Sequence, residues 1–334
     1  MPASPIGLPA FFLPGIITFM TLQLFHRFID RFTDCLCALS LIGIWPRFIE
    51  PLWLEERHET CSFNSTNSPP LKIAHLSDLH WNRLTSSFLI KKIQRKLQQT
   101  KPDIILFTGD FLSYSEPYQM QTLQEILKAW RKVAPIVACL GNHDYSHYVT
   151  QRDGNVRIQH KPLPFLLRAF KRLLMPRKFF SHGTHQGLNV KPHSDLLEVL
   201  KKANVDLLVN EAREYKIGIH KVTILGVGDL WADNNMQLQH LTHLKPTIIL
   251  AHNPDSLDHL EEFDTALVLC GHTHGGNVNL KGIRGKIRSV SHINRLKGWQ
   301  EHTKHHAYVN RGLGNPYPFR FFSRPELTWI HLYF

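Results

Sequence analysis

Ile73-Ala74-His75-Leu76-Ser77-Asp78-Leu79-His80 is an apolar run that ends on an aspartate and a histidine. The same figure recurs four times along the chain. Ile104 to Phe107 leads into Gly109-Asp110, and Ile136 to Leu140 leads into Gly141-Asn142-His143-Asp144. Thr247 to Leu250 leads into Ala251-His252-Asn253-Pro254-Asp255, and Ala266 to Cys270 into Gly271-His272-Thr273-His274. Short, β-branched-rich apolar runs of this kind read as buried strands. In a layered α/β domain the strand ends converge on one edge, and sites are built there. The side chains gathered are carboxylates, an amide and imidazoles, with no thiolate, a set that suits Mn²⁺, Fe or Zn²⁺. For any one of the 22 histidines, an ordinary surface or core imidazole is the competing reading. Five such stretches in succession outweigh it.

The order D-x-H, G-D, G-N-H-D, H, G-H-x-H resembles the calcineurin-like metallophosphoesterases, from about Leu71 to the C-terminus, with no signature position missing. The resemblance implies an α/β fold, a four-layer αββα sandwich, and two divalent metal ions, Mn²⁺ first and Fe or Zn²⁺ as alternatives. Asp78, His80, Asp110 and His274 would hold one ion. Asn142, His252, His272 and the shared carboxylate of Asp110 would hold the other. A bridging carboxylate can set two cations about 3.5–4 Å apart, and hydroxide becomes available between them near neutral pH. Neutral imidazoles and an amide limit the ligand charge and keep the ions strong Lewis acids. His143 would stand beside the phosphoryl group as acid or charge stabiliser, with Asp144 fixing its tautomer. The implied reaction is in-line attack of a metal-bound hydroxide on phosphorus, without a phosphoenzyme.

A chain of 334 residues with 43% hydrophobic content can bury a full core, so one catalytic domain plus an appendage is expected. The formal charge of +12 favours anionic partners: phosphorylated substrates, acidic lipid headgroups or nucleic acid. The five cysteines, with Cys139 and Cys270 in expected core strands and Cys35 and Cys37 in an apolar segment, read as reduced structural thiols. Residues 2–25 carry no charged side chain, and a second apolar run extends from Cys35 to Trp45. The first run is long enough to cross a bilayer, although Pro9, Pro14 and Gly15 would kink it. No positive charge precedes it, which fits a secretory signal poorly. Arg27 and Arg31 follow it and would stay on the cytoplasmic side with the domain they lead into. The expected organisation is an apolar membrane-associated helical segment over 1–55, a Ser, Asn, Thr and Pro-rich linker over 56–70, and the catalytic domain over 71–334. The competing reading of the first segment is a pair of helices packed on the catalytic domain.

About sixty residues separate Asp144 from the next expected strand near Asp206 to Val209, and a lid insertion is expected over about 145–203. Within it Leu163, Leu166, Leu167, Phe170, Leu173 and Leu174 recur at helical spacing, with Arg168, Lys171 and Arg172 clustered opposite. Such a basic amphipathic helix lies on a membrane or caps an amphiphilic ligand. The competing reading is ordinary packing on the domain. Arg168, Phe170 and Arg172 are therefore candidate substrate contacts, as are Arg311 and Arg320 in the C-terminal run. For the last two, solvated surface arginines are the alternative. Gly312 and Gly314 are expected to permit positive φ or close packing. The C-terminal run resembles that of the membrane-linked, YkuE-like branch of the superfamily. Within that branch, resemblance to the UDP-2,3-diacylglucosamine pyrophosphatases of lipid A biosynthesis implies release of UMP and 2,3-diacylglucosamine 1-phosphate by attack on the α-phosphorus. Partners would be an amphiphilic phosphorylated lipid and the inner membrane surface, with the catalytic domain on the cytoplasmic side. Alternatives are a phosphodiesterase for other lipid headgroups or cell-envelope phosphoesters, and, from another class, a non-catalytic membrane-docked scaffold. Scaffolds of this fold lose ligands, and here all seven are present. A nucleic acid partner is disfavoured, since neither a separate DNA-binding domain nor an aromatic strand platform is evident. The oligomeric state is open.

Overall fold

A computed structural model describes residues 31, 33, 43–63, 68–152, 155–158, 187–233, 238–276, 290, 293–302, 304–316 and 319–334. The chain divides into two units, Met1–Pro46 and Arg47–Phe334, and the second carries everything below. The apolar residues 2–25, the lid candidates Arg168, Phe170 and Arg172 and the rest of the stretch from Leu163 to Phe180 lie outside the described residues. Among the described residues, no helix is long and apolar enough to cross a membrane.

Among the described residues, fourteen strands run in chain order: β1 Glu55–Ser62, β2 Leu71–Leu76, β3 Ile104–Thr108, β4 Ile136–Cys139, β5 Val149–Arg152, β6 Asn155–Ile158 and β7 Asp206–Leu207, then β8 Glu211–Ile217, β9 His220–Gly226, β10 Ile248–Leu250, β11 Leu267–Cys270, β12 Gly298–Gln300, β13 His306–Val309 and β14 Glu326–Tyr333. The α-helices α1 Ser87–Thr100, α2 Met120–Arg131 and α3 Ser194–Lys202 lie between them. One sheet has the order β1-β14-β2-β3-β4-β7 and the other β12-β13-β11-β10-β9-β8, while β5 and β6 form a separate hairpin. Strands β2, β3 and β4 pair in parallel, as do β9, β10, β11 and β13. Parallel central strands are covered on both faces, which explains their unbroken apolar sequences.

Alternate residues of each central strand serve two different cores. Ile73, Leu106 and Val137 from the first sheet meet Ile224, Leu250 and Leu269 from the second. Ala74, Phe107 and Ala138, pointing the other way, pack under Ile93, Leu127 and Leu200 of the three helices. On the outer face of the second sheet, Ile249 and Val268 are covered by Leu241, Leu257 and Phe263. Among the described residues, that outer layer includes the 3-10 segments Gln239–Leu244 and Pro254–His259. The architecture is two mixed sheets face to face between helical layers.

Two expected boundaries are corrected. Residues 55–62, read as the start of a linker, form β1, which pairs in parallel with β14 at the edge of the first sheet. Glu55, Glu56, Arg57, His58 and Glu59 hid the strand, because an edge strand need bury neither face continuously. The insertion expected over 145–203 contains the β5–β6 hairpin and ends in α3, whose Leu196, Val199 and Leu200 belong to the main core. Truncating Leu106, fully buried between the sheets, to Ala should lower unfolding free energy by about 2–5 kcal/mol in a urea titration.

Candidate metal centre

The C-terminal ends of β2, β3 and β4 in one sheet and of β10 and β11 in the other open onto the same edge. Asp78, Asp110 and Asn142 follow the first three, and His252 and His272 the other two. At this edge the backbone is repeatedly left-handed: φ is 51° at Asp78, 47° at His80, 59° at Asp110, 69° at His272 and 51° at His274. Each such non-glycine residue stores of order 1–3 kcal/mol, and such clusters mark functional sites. Cross-strand backbone bonds hold the conformations, among them Asp78 N–H to the Gly109 carbonyl at 2.9 Å and His80 N–H to the Asp110 carbonyl at 3.0 Å. Close approach also dictates two glycines. A Cβ on Gly141 would overlap the Asp110 carboxylate, and one on Gly312, at φ 74°, would lie 2.6 Å from the Asp78 Cβ.

All seven expected ligands come together, and each is buried. Asp78, His80 and His274 form one group of converging ligand atoms, Asp110, His252 and His272 another, and His80, Asp110 and His143 a third that overlaps both. In the first, His80 Nε2 lies 3.0 Å from His274 Nε2, and His274 Nε2 lies 3.5 Å from Asp78 Oδ1. In the second, His272 Nδ1 lies 3.1 Å from Asn142 Oδ1 and 3.2 Å from His252 Nε2. Asp110 Oδ2 stands between the groups, 3.4 Å from His80 Nε2 and 3.2 Å from His252 Nε2. Ligands about 2.0–2.2 Å from a cation sit roughly 3.0–3.5 Å from one another, so these separations suit metal shells. The donor set fits two divalent ions sharing Asp110.

Outer contacts aim the rings. His80 Nδ1 faces the Leu112 carbonyl at 3.1 Å and His252 Nδ1 the Thr108 carbonyl at 2.7 Å, so each donates there and turns Nε2 inward. Burial, with the neighbouring cationic groups, holds His80 and His274 well below the ordinary imidazole range. Burial would also depress His252, but the charges of Asp110, Asp78 and Asp229 together lift it to about 10. Burial opposes ionisation of Asp110, yet His252, His143 and His80 around it hold its carboxyl well below the usual range.

His143 sits beside this cluster, its Nε2 3.9 Å from Asp110 Oδ2. Asp144 does not set its tautomer, contrary to expectation. The Asp144 carboxylate is occupied by the Leu112 N–H at 2.9 Å and the Gly141 N–H at 3.0 Å, tying the β3 and β4 loops together. The Tyr114 N–H donates to His143 Nδ1 at 2.8 Å instead, which leaves the ring proton on Nε2, facing the site. Burial pulls His143 down to about 4, so the neutral ring is the relevant form.

Arg311 and Arg320 are not the solvated surface arginines of the alternative reading; both are buried. Arg311 pairs with Glu326 and, at 3.1 Å, with Glu55. Arg320 donates to the carbonyls of Arg311 at 2.9 Å and of Ser323 and Gly312 at 3.0 Å, and its Nη2 also lies 3.3 Å from His274 Nδ1. Neither role is visible without knowing which distant acid or carbonyl the guanidinium meets. Two residues escaped sequence reading altogether. Asp229, fully buried, accepts the N–H groups of Trp231 and Ala232, and the Trp231 ring stands edge-on to His272 with centroids 4.6 Å apart. The signal was present: Gly228-Asp229 follows β9 as Gly109-Asp110 follows β3.

The family description calcineurin-like phosphoesterase matches residues 71–276, and the chain belongs to that family of metal-dependent hydrolases. Among its relatives is a UDP-2,3-diacylglucosamine pyrophosphatase, LpxG, of Chlamydia muridarum, 32% identical over 88% of this chain and 94% of its own. The phosphodiesterase YaeI of Escherichia coli is 27% identical over 92% of this chain and 98% of its own. A metallophosphoesterase of Bacillus subtilis, YkuE, is 27% identical over 85% of this chain and 87% of its own.

Replacing Arg311 by Met should strand the buried Glu326 carboxylate and lower stability by about 3–5 kcal/mol, measured by chemical denaturation. The KM for a soluble phosphodiester should stay within about twofold, because the guanidinium faces the two glutamates rather than the site.

Proposed function

We propose that this metallophosphoesterase hydrolyses UDP-2,3-diacylglucosamine to UMP and 2,3-diacylglucosamine 1-phosphate at the inner membrane, with its catalytic domain on the cytoplasmic side. The observation that carries the substrate is the 32% identity with the LpxG pyrophosphatase, sustained over 88% of this chain. The apolar residues 2–25 and the basic, leucine-rich stretch from Leu163 to Leu174 support an amphiphilic substrate drawn from a membrane.

Asp78, His80, Asp110 and His274 would hold one divalent ion, and Asn142, His252, His272 and Asp110 the second. Bound there, Mn²⁺, Fe or Zn²⁺ supplies Lewis acidity toward the phosphoryl oxygens and a nucleophilic water at neutral pH. Asp110 keeps its charge through the three imidazoles around it, as a shared ligand must. His143 presents a protonated Nε2 beside them and donates to the phosphoryl or leaving-group oxygen without first becoming charged. The Tyr114 amide prevents the ring from turning its acceptor nitrogen toward the substrate.

A second reading, a phosphodiesterase for other lipid-headgroup or envelope phosphoesters, is favoured by the similarity to YaeI over 92% of this chain. Turnover of UDP-2,3-diacylglucosamine, of a glycerophosphodiester lipid and of bis-p-nitrophenyl phosphate, each with Mn²⁺, separates the two. The first reading expects UMP release to exceed the others in kcat/KM by at least about a hundredfold; comparable rates on all three sink it.

Asp110→Ala should abolish activity and metal retention together, as read by elemental analysis. His143→Ala should retain metal and lose about 10²–10⁴-fold in kcat. Loss of metal in the histidine variant would make His143 a ligand instead.

A further inference from the structure

We infer that the face built from residues 47–53, the start of α1 and the loop 319–324 docks on an anionic lipid bilayer, so that the metal centre meets its substrate at the membrane plane. The inference deepens the amphiphile reading and rests on it for the kinetic arm of the test alone. Its first ground is exposure. Phe48 is 62% exposed, Phe88 61% and Phe322 57%, and Ile49, Trp53 and Leu84 each show more than two-fifths of their surface. Large apolar side chains scattered singly need no explanation, but contiguous ones mark an interaction surface.

Contiguity is shown by the contacts between the three segments. Pro51 and Leu52 share a cleft with Leu84, Leu89, Leu313 and Arg320. The Glu50 carboxylate accepts the N–H groups of Phe322 at 3.0 Å and Ser323 at 2.5 Å, and the Arg324 guanidinium lies 3.9 Å from the centroid of the Trp53 ring. The cleft measures about 40 Å³, close to the volume of one water molecule. A cleft of that size cannot swallow an acyl chain, so this face offers apolar surface rather than a tunnel.

Charge and chain direction select the partner. Across 47–54, 83–89 and 319–325 the basic residues that reach the surface are Arg47, Arg83 and Arg324, Arg320 being buried among loop carbonyls, and the lone acid, Glu50, is buried under the two amides it accepts. Aromatic side chains mixed with arginines suit the headgroup level of a bilayer with acidic lipids. In the sequence, the apolar run from Cys35 to Trp45 leads into Arg47, the first residue of this face. The metal centre lies one layer behind it. Ser323 Oγ donates to the His274 carbonyl at 2.6 Å, Arg320 reaches His274 Nδ1, and the Gly314 N–H donates to the Asp78 carbonyl at 2.7 Å.

Hydrogen exchange of the full, Mn²⁺-loaded chain tests this, with no vesicles, with phosphatidylcholine vesicles, and with phosphatidylcholine vesicles containing phosphatidylglycerol. Exchange over 47–54, 83–89 and 319–325 should slow about fivefold or more with the anionic vesicles, well beyond the effect of the neutral ones. The β8–β9 turn, where Ile219 is 73% exposed, should not change. Three results overturn the inference: protection confined to residues 1–46, protection already complete without vesicles, or equal protection by both vesicle types. A Phe48→Ser, Phe88→Ser double variant should keep wild-type metal content and bis-p-nitrophenyl phosphate turnover. It should lose the vesicle-induced protection and about tenfold or more in turnover of vesicle-embedded UDP-2,3-diacylglucosamine. Docking without that turnover in the wild-type protein would remove the proposed substrate and leave the surface; turnover in detergent without docking would do the reverse.

Discussion

Among the described residues, one carboxylate stands between both groups of candidate ligands. Asp110 Oδ1 accepts the His143 N–H at 2.9 Å, while Oδ2 faces His80 and His252 from opposite metal groups. A buried carboxylate with a single neighbour would tend to take up a proton, because burial disfavours its charge. Three surrounding imidazoles reverse that balance here. The constraint then propagates outward. Asp110 must leave β3 with a left-handed backbone to place its side chain between two sheets, and the residue facing it on the β4 loop must be a glycine. The Asp144 carboxylate, clamping the β3 and β4 loops through two amides, keeps that separation fixed.

The strain in this arrangement is spread across both sheets. Asp78, His80 and Asp110 are left-handed on one side and His272 and His274 on the other, each within a few residues of a fully buried strand. Close-packed cores are stiff, and that stiffness can hold conformations that isolated loops would relax. It also explains the C-terminal run. Arg320 satisfies several loop carbonyls, Gly312 gives Asp78 room, and Arg311 ties Glu326 of β14 to Glu55 of β1. The last strand of the chain thus supports the first ligand in it. A charged pair so deep adds little net stability by itself, but removing either member leaves the other uncompensated.

What could be read from the sequence follows from how local the deciding physics is. A buried parallel strand must be apolar along its whole length, and a ligand at its end must be Asp, Asn or His, so β2, β3, β4, β10 and β11 with their seven ligand candidates were legible. The β1 strand was not, because its pairing with β14 joins residues some 270 positions apart and its own sequence is polar. Asp144 was assigned by proximity in the sequence to His143, yet its carboxylate turns to the Gly141 amide of its own turn and the Leu112 amide of the β3 loop. Tyr114 could not have been found from its side chain, since its backbone N–H makes the contact, at a residue whose φ is 57°. Arg311 and Arg320 look like surface arginines until the acids and carbonyls that enclose them are known.

The placement of His143 bears on how the centre can tell reacting groups apart. A histidine near a dinuclear site could compete for metal if an unprotonated nitrogen faced inward. The amide of Tyr114 occupies Nδ1, and the neutral ring must then carry its proton on Nε2, toward Asp110 and the ligand cluster. A nitrogen in that state can donate a hydrogen bond but cannot bind a cation. Burial reinforces the arrangement by disfavouring the doubly protonated ring. The same loop thus separates two uses of one side-chain type. His80, whose Nδ1 faces a carbonyl, turns a lone pair inward, and His143, whose Nδ1 faces an amide, turns a proton inward. For His80 and His143, backbone polarity at the ring's far side decides which nitrogen carries the proton.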